Sequence, residues 1–362
     1  MQSDEKGGEL TTINDVARYA NVSPTTVSHV LNGRGRVSAQ TRDRVLQVAA
    51  DLGYAASAHA QQLVTRRSRI VAVQMPELNS GGTGPALVPN SEYFLELING
   101  AAAAADKARY AMIILPAGVN VSSMRTFSID GAIIVDPKGS EEFLQSSLAA
   151  RCPVVTTGEP IFGAGEFEFV VDNDHRAATR DALDHFREQG FTQPAIVLDS
   201  TSRSYIRDIG EAYNQWCIGH SIRPTVVTLP DASPTRVQKA LKALRSGAVP
   251  ADAVYASSEE FAIALLEAAK EFHLRVPDDI ALASAVDSSI LRLTDPPISG
   301  MHLHPREIGA TAVSTLMKLI DYKLGDDSQA APEPTRELIP TRLIVRSSTT
   351  QPAAQRYATT AT

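Results

Sequence analysis

Cysteine is nearly absent from this sequence. Cys152 and Cys217 are the only two in 362 residues, too few for a disulfide framework or a cysteine-based zinc site. Long apolar runs are missing as well: those present, such as residues 131–135 and 280–283, are strand-sized and fall far short of a membrane span. The first ten residues hold three acidic side chains and no hydrophobic stretch, which argues against a secretory signal and for a cytoplasmic protein. Signatures of catalysis are also lacking. Gly81-Gly82-Thr83-Gly84 has no following Lys-Ser/Thr and is not a phosphate loop. No Gly-x-Ser-x-Gly element occurs, and His302-Leu303-His304 offers two imidazoles without a clear third ligand. The expectation is a non-enzyme with no cofactor, no metal and no membrane association.

What is present is ordinary globular material, 43% hydrophobic and 21% charged, in a chain long enough for more than one domain. The net charge of −7 hides an asymmetry. Residues 11–69 contain eight Arg against three Asp, so the remainder of the chain carries the acid. A basic head on an acidic body is the layout of a polyanion-binding module attached to a separate core.

The head reads as three short helices. Thr12-Ile13-Asn14-Asp15 has the form of a capping box with Asp in place of Glu. Ser23-Pro24 supplies an N-cap followed by proline at the first helical position, where its missing N–H is not needed. Asn21 between them tolerates a left-handed backbone. A third helix runs from Ser38, with Val45, Val48, Ala49 and Leu52 on one face, to Gly53. Two helices joined by a tight turn and closed by a third make a helix-turn-helix.

From Ile70 the texture changes to alternating strands and helices. Apolar runs at residues 70–73, 112–115, 132–135, 154–156, 169–171, 195–198, 226–229, 253–256 and 280–283 alternate with helical stretches at 93–108, 141–150, 176–189, 204–219, 235–246, 260–272 and 307–323. Repeated βα units imply parallel sheets covered on both faces. Nearly 300 residues exceed one such sheet, so two lobes with a cleft between them are expected.

The stretch Thr12-Ile13-Asn14-Asp15-Val16-Ala17, then Val22-Ser23-Pro24-Thr25-Thr26-Val27-Ser28-His29-Val30-Leu31-Asn32-Gly33, Val37-Ser38, Thr41-Arg42 and Leu52-Gly53-Tyr54 resembles the head of the lactose-repressor (LacI/GalR) family. Residues 129–134, Val171-Asp172-Asn173, 276–280 and 342–348 resemble its periplasmic-binding-protein-like core. The resemblance spans about residues 11–348. It implies a small all-α helix-turn-helix head plus an α/β core of two doubly wound parallel-sheet lobes. The expected division is a disordered N-terminus (1–10), a DNA-binding domain (11–55), a hinge helix and linker (56–69), an effector-binding and dimerisation core (70–348) and a disordered tail (349–362). Within the core, one lobe is expected at about 70–170 plus 300–332, the other at about 171–299 plus 333–348.

The resemblance also implies sites. The second helix would meet base edges in the major groove with Pro24, Thr25, Ser28 and His29. Proline offers apolar contact alone, whereas His29, where family members often carry Arg, donates to guanine N7 or O6. Thr12, Ser23, Thr26, Asn32 and Arg36 would join Ser28 at the phosphates. Residues 56–63 resemble the family's hinge helix, where Ser57 and His59 would contact DNA and Leu63 would wedge between base pairs. Its usual Pro is missing here, in Tyr54-Ala55-Ala56-Ser57. In the core, Arg207 and Asp287 would face each other across the cleft, with Tyr93 and Phe94 stacking on a ligand and Ser258 nearby. From the residues alone, the alternatives are that Arg207 is an interlobe ion pair and that Tyr93 and Phe94 are core. The function expected is that of a homodimeric regulator of pseudo-palindromic double-stranded operator DNA, a repressor controlled by a sugar-like small molecule. The alternatives are control by a protein partner, or a small-molecule binder with no DNA role.

Overall fold

The computed structural model describes residues 11–31, 35–54, 67–76, 91–115, 128–145, 152–161, 168–247, 249–324 and 332–350. They fall into two compact units that divide after Ser68.

The head contains α1 (Ile13–Ala20), α2 (Pro24–Leu31) and α3 (Ala39–Asp51). Its core is small: Val16, Ala17 and Ala20 of α1 meet Val27 and Val30 of α2 and Val45 and Ala49 of α3. Side-chain caps set the helix starts. Thr12 and Asp15 form the reciprocal capping box, the Thr26 N–H donates to Ser23 Oγ at 3.1 Å, and the Thr41 N–H donates to Ser38 Oγ at 3.2 Å. Asn21 ends α1 with φ +51°, the left-handed conformation that an Asn accepts more readily than a β-branched residue.

The core unit holds two six-stranded sheets. In chain order its elements are β1 (Ile70–Gln74), α4 (Glu92–Lys107), β2 (Ala111–Leu115), β3 (Gly131–Val135), β4 (Val154–Thr157), β5 (Phe169–Asn173), α5 (His175–Glu188), β6 (Pro194–Asp199), α6 (Ser204–Gly219), β7 (Val226–Leu229), α7 (Pro234–Ser246), β8 (Ala253–Ala256), α8 (Glu259–Glu271), β9 (Ala281–Ser284), β10 (Ser299–His302), α9 (Pro305–Leu324), β11 (Thr335–Ile339) and β12 (Arg342–Ile344). The first sheet runs β11-β5-β4-β3-β1-β2 and the second β12-β10-β9-β8-β6-β7. All pairings are parallel except β10 with β12.

This topology corrects the expected lobe boundaries in two places besides β5, whose residues 171–173 also fall in the first sheet. Ser299–His302 pairs with β9 in the second sheet, so residues 300–302 do not belong to the first lobe. Thr335–Ile339 pairs with β5 in the first sheet, although residues 333–348 were assigned to the second lobe. Strand pairing decides sheet membership, and an edge strand as polar as Thr-Arg-Glu-Leu-Ile gives little pattern to assign it by. A further correction concerns the tail. Thr349 is fully buried, its Oγ1 hydrogen-bonded with Ser299 Oγ and with His185 Nε2, each at 2.8 Å. Residues 1–10, most of the hinge segment and residues 351–362 lie outside the described residues.

The chain crosses between lobes after β5, after β10 and after β11. One side chain ties the three crossings together. Buried Asn173, at the end of β5, donates both Nδ2 protons, one to the Leu303 carbonyl and one to the Ile339 carbonyl, each at 3.0 Å.

Helices α4 and α9 pack on the first sheet at a distance set by two glycines. A Cβ on Gly309 would stand 2.1 Å from the Leu97 carbonyl oxygen, and one on Gly100 would stand 2.0 Å from that of Arg306. Neither backbone has room to yield. Gly309→Ala is therefore expected to destabilise the core by about 1–3 kcal/mol through overpacking, read as a lower midpoint in urea. An unchanged midpoint would show that the helices separate freely.

Candidate functional site

On the head, the buried positions of α2 leave the opposite face outward. Pro24, Thr25 and His29 are exposed, Ser28 and Thr26 are half-buried, and Arg36 beyond the helix is exposed. The hydroxyls of Thr12 and Ser23 are exposed as well, but both are engaged as caps: Thr12 Oγ1 donates to Asp15 Oδ2 at 2.7 Å, and Ser23 Oγ accepts from Thr26. Asn32, Ser57, His59 and Leu63 lie outside the described residues. Tyr19, which sequence reasoning passed over, is 62% exposed on α1, and the Arg18 guanidinium stands 5.2 Å from its ring centroid.

In the core, a cavity of about 180 Å³ lies between the lobes. Open α/β sheets bind ligands at the carboxyl ends of their strands, and the lining follows that rule. Asp136 comes after β3, Thr157 ends β4, Asp172 lies near the end of β5, Asp199 ends β6, Ser257 follows β8 and Ala285 follows β9. Helix starts complete the wall: Tyr93 and Phe94 from α4, His175 from α5, Ser204 and Tyr205 from α6, and Ser258, Glu259 and Glu260 around the start of α8.

Of the five expected core contacts, three line this cavity. Tyr93 and Phe94 meet edge to face at 5.2 Å between centroids, the favoured geometry for an aromatic pair. Tyr93 packs against the apolar clusters of both lobes, so it is at once wall and core. Ser258 lines the cavity too, although its Oγ accepts from the Phe261 N–H at 3.4 Å as the N-cap of α8.

The other two are not among its lining residues. Arg207 is held at the rim, donating from Nη2 to Glu159 Oε2 at 2.8 Å and from Nε to Asp208 Oδ1 at 3.0 Å. Its fork is occupied by carboxylates, and the interlobe ion pair is the arrangement the chain adopts. Asp287 is clasped by both terminal nitrogens of Arg346, at 2.7 and 3.0 Å. It faces a separate recess of about 460 Å³ beside Glu92, His302 and Arg306. His302 and His304 meet there with ring centroids 4.3 Å apart, and no metal-binding group of three His, Cys, Asp or Glu is found among the described residues.

The arginine that does reach the interior is Arg203, one helical turn before Arg207. It is 1% exposed, donates to the Asp136 carbonyl and pairs with Asp136 Oδ2 at 3.2 Å, joining the lobes beneath the cavity. Asp136 itself has φ +45°, an uncommon backbone for a residue with a side chain. Gly158 beside it has φ +100°, a conformation that glycine alone adopts without strain. Burial pushes the Asp136 carboxyl up to about 6, against the lowering effect of Arg203; Asp172 and Glu141 raise it further and His175 lowers it. Burial also raises Glu259 and, more strongly, the phenols of Tyr93 and Tyr205, which remain neutral hydrogen-bonding groups.

Comparison with known proteins adds two family matches. Residues 12–57 match the model described as bacterial regulatory proteins, lacI family, and residues 183–349 match a periplasmic binding protein-like domain. Catabolite control protein A of Staphylococcus xylosus is 26% identical over 346 residues, covering 93% of this chain and 99% of that protein. The ribose operon repressor of Halalkalibacterium halodurans is 25% identical over 350 residues, covering 94% and 97%. Among solved structures, the lac repressor dimer bound to operator and an anti-inducer superposes with a TM-score of 0.75 at 22% identity, covering 95% of this chain and 100% of that one. The complex of the transcriptional regulator CelR with cellobiose gives 0.65 at 22% identity, covering 93% and 99%. These relatives are regulators rather than enzymes, and no helix among the described residues is long and apolar enough to cross a membrane.

Proposed function

The chain belongs to the lacI family of bacterial regulatory proteins, and from that premise we propose that it is a cytoplasmic repressor that binds operator DNA as a homodimer and is controlled by a small molecule in the interlobe cavity. The observation that carries the DNA-binding half is the division of α2. Val27 and Val30 anchor it in the head while Pro24, Thr25, Ser28 and His29 face outward from its first two turns. A recognition helix presented this way reads base edges, and two heads on a dimer read the halves of a pseudo-palindrome. Arg36, Thr26 and the exposed Arg18–Tyr19 pair supply phosphate contacts that position without specifying. The hinge segment, with Ser57, His59 and Leu63, is assigned to the minor groove on its sequence. The effector half rests on the cavity: concave, shared by both lobes and lined by hydroxyls, carboxylates and aromatic rings, the groups that hold a sugar-like ligand.

Fluorescence anisotropy against DNA from upstream of the coding sequence, with a scrambled competitor, tests the DNA-binding half. Specific binding at least about 10³ tighter than to the scramble is expected. His29→Ala should weaken the specific complex about tenfold, the loss expected for one base contact, and leave binding to the scramble unchanged. Equal losses on both DNAs would mean that His29 touches phosphate and reads no base.

A further inference from the structure

Every ionisable group among the described residues that line the cavity, other than His175 and the two neutral tyrosines, is a carboxylate: Asp136, Asp172, Asp199, Glu259 and Glu260. No lysine or arginine is among them. Nearby cations answer only part of that charge. Arg203 serves Asp136, and Arg207 and Arg336 converge on Glu159 at the rim, at 2.8 and 3.3 Å. Asp172 is 6% exposed; its Oδ1 accepts from the Asn173 N–H at 2.8 Å. Its Oδ2 is buried without a hydrogen-bond partner, the Arg336 guanidinium standing off at 3.9 Å and His175 Nε2 lying 3.6 Å from Oδ1. Glu259, half-buried, accepts from Ser91 Oγ at Oε1, at 3.4 Å, and has the Ser288 hydroxyl beside it, while its buried Oε2 makes no hydrogen bond within 3.5 Å.

Buried carboxylate oxygens are almost always hydrogen-bonded, and an orphaned one is costly. The starts of α5 and α8 are capped by their own Asp174 and Ser258, whereas those of α4 and α6 carry no side-chain cap. A neutral polyol would donate to the two carboxylate oxygens. It would not offset the negative charge of the lining. A ligand with a phosphate or carboxylate would be repelled by it.

Resting on the reading of this cavity as the effector site, we infer that the effector is cationic: a single-ring polyhydroxy molecule carrying a protonated amine, which donates to Asp172 and Glu259. The cavity volume of about 180 Å³ lies below the roughly 300–1,000 Å³ of drug-sized pockets and suits one ring. Tyr93, Phe94 and Tyr205 line the cavity and give the ring an apolar wall; an ammonium over an aromatic face is attracted to it.

The test is calorimetric titration of the full chain with three hexosamines (glucosamine, galactosamine and mannosamine), the three matching hexoses, N-acetylglucosamine and glucose 6-phosphate. At least one hexosamine is expected to bind about tenfold or more tighter than its hexose, a gap of about 1.4 kcal/mol, with the N-acetyl and phosphate forms weaker still. Asp172→Asn should abolish that preference, as should Glu259→Gln, with the unliganded melting curve of each variant reporting its fold. A hexose or the phosphate binding as tightly as any hexosamine would overturn the inference, as would a preference that survives both substitutions. If a neutral sugar binds and releases the operator, the effector-site reading stands and the cationic ligand falls. If no compound of any charge binds while operator binding persists, both fall.

Discussion

Asn173→Ala should be among the most damaging single substitutions in the core, although it removes only a small polar side chain. The three crossings between the lobes meet at that amide, and its loss leaves the carbonyls of Leu303 and Ile339 buried without their donor. Each orphaned group costs about 1–3 kcal/mol, so a loss of about 2–5 kcal/mol is expected for the pair. The change is readable in urea through Trp216, the single tryptophan, which lies in the second lobe with Nε1 donating to Asp184 at 2.7 Å. The functional consequence should exceed the thermodynamic one. With the crossings untied, closure of the lobes on a ligand no longer moves them as one hinge, and the effect of a ligand on DNA binding should weaken even where folded protein is recovered. A midpoint within error of the parent would show that water replaces the amide at no cost.

Arg203→Met is the second large effect, and its size depends on pH. The substitution leaves the Asp136 carboxylate in the interlobe space without its cation, a change that typically costs about 3–5 kcal/mol. Asp136 already titrates at about 6, above its ordinary 3.8, and loss of Arg203, which lowers it, moves it higher. A carboxyl raised in the folded state binds a proton that the unfolded chain does not hold between the two values. Stability therefore increases as pH falls through that window. The deficit of the variant should be largest near about pH 7.5 and shrink towards about pH 5 as Asp136 becomes neutral. An equal deficit at both pH values would place its origin in lost packing around the arginine and not in the stranded charge.

Much of the architecture is legible in the residues because local chemistry and global fold agree. Ser23-Pro24, the Thr12–Asp15 box and Asn21 are each where a cap or a left-handed turn is needed, and fully buried strands such as β3 announce themselves as apolar runs. The strands that sequence pattern assigns poorly are those whose partners come from far along the chain, as β11 does with β5. The site was half visible. The family resemblance pointed to Tyr93, Phe94 and Ser258, which line the cavity. Arg203 precedes α6 with an extended backbone, whereas Arg207 lies in the helix's first turn; Arg203 meets Asp136 and Arg207 meets Glu159, both on the other lobe, and nothing in the sequence around α6 names those partners. Asp136, Asp172 and Asp199 carried a usable signal, since each lies at or next to the carboxyl end of a strand in a doubly wound sheet.

The two cysteines, introduced above for what their scarcity excludes, divide neatly between the lobes. Cys152 is buried beside the first sheet, with its thiol pushed up to about 12 by burial, and Cys217 is buried within the second. Neither presents a thiolate to solvent in the native fold, so the protein should withstand oxidants that disable exposed thiols. An alkylating reagent then reaches each sulfur only when its own lobe opens. Mass-spectrometric labelling of Cys152 and Cys217 in one sample thereby provides two independent clocks, showing whether a ligand that bridges the lobes slows the opening of both or only of one.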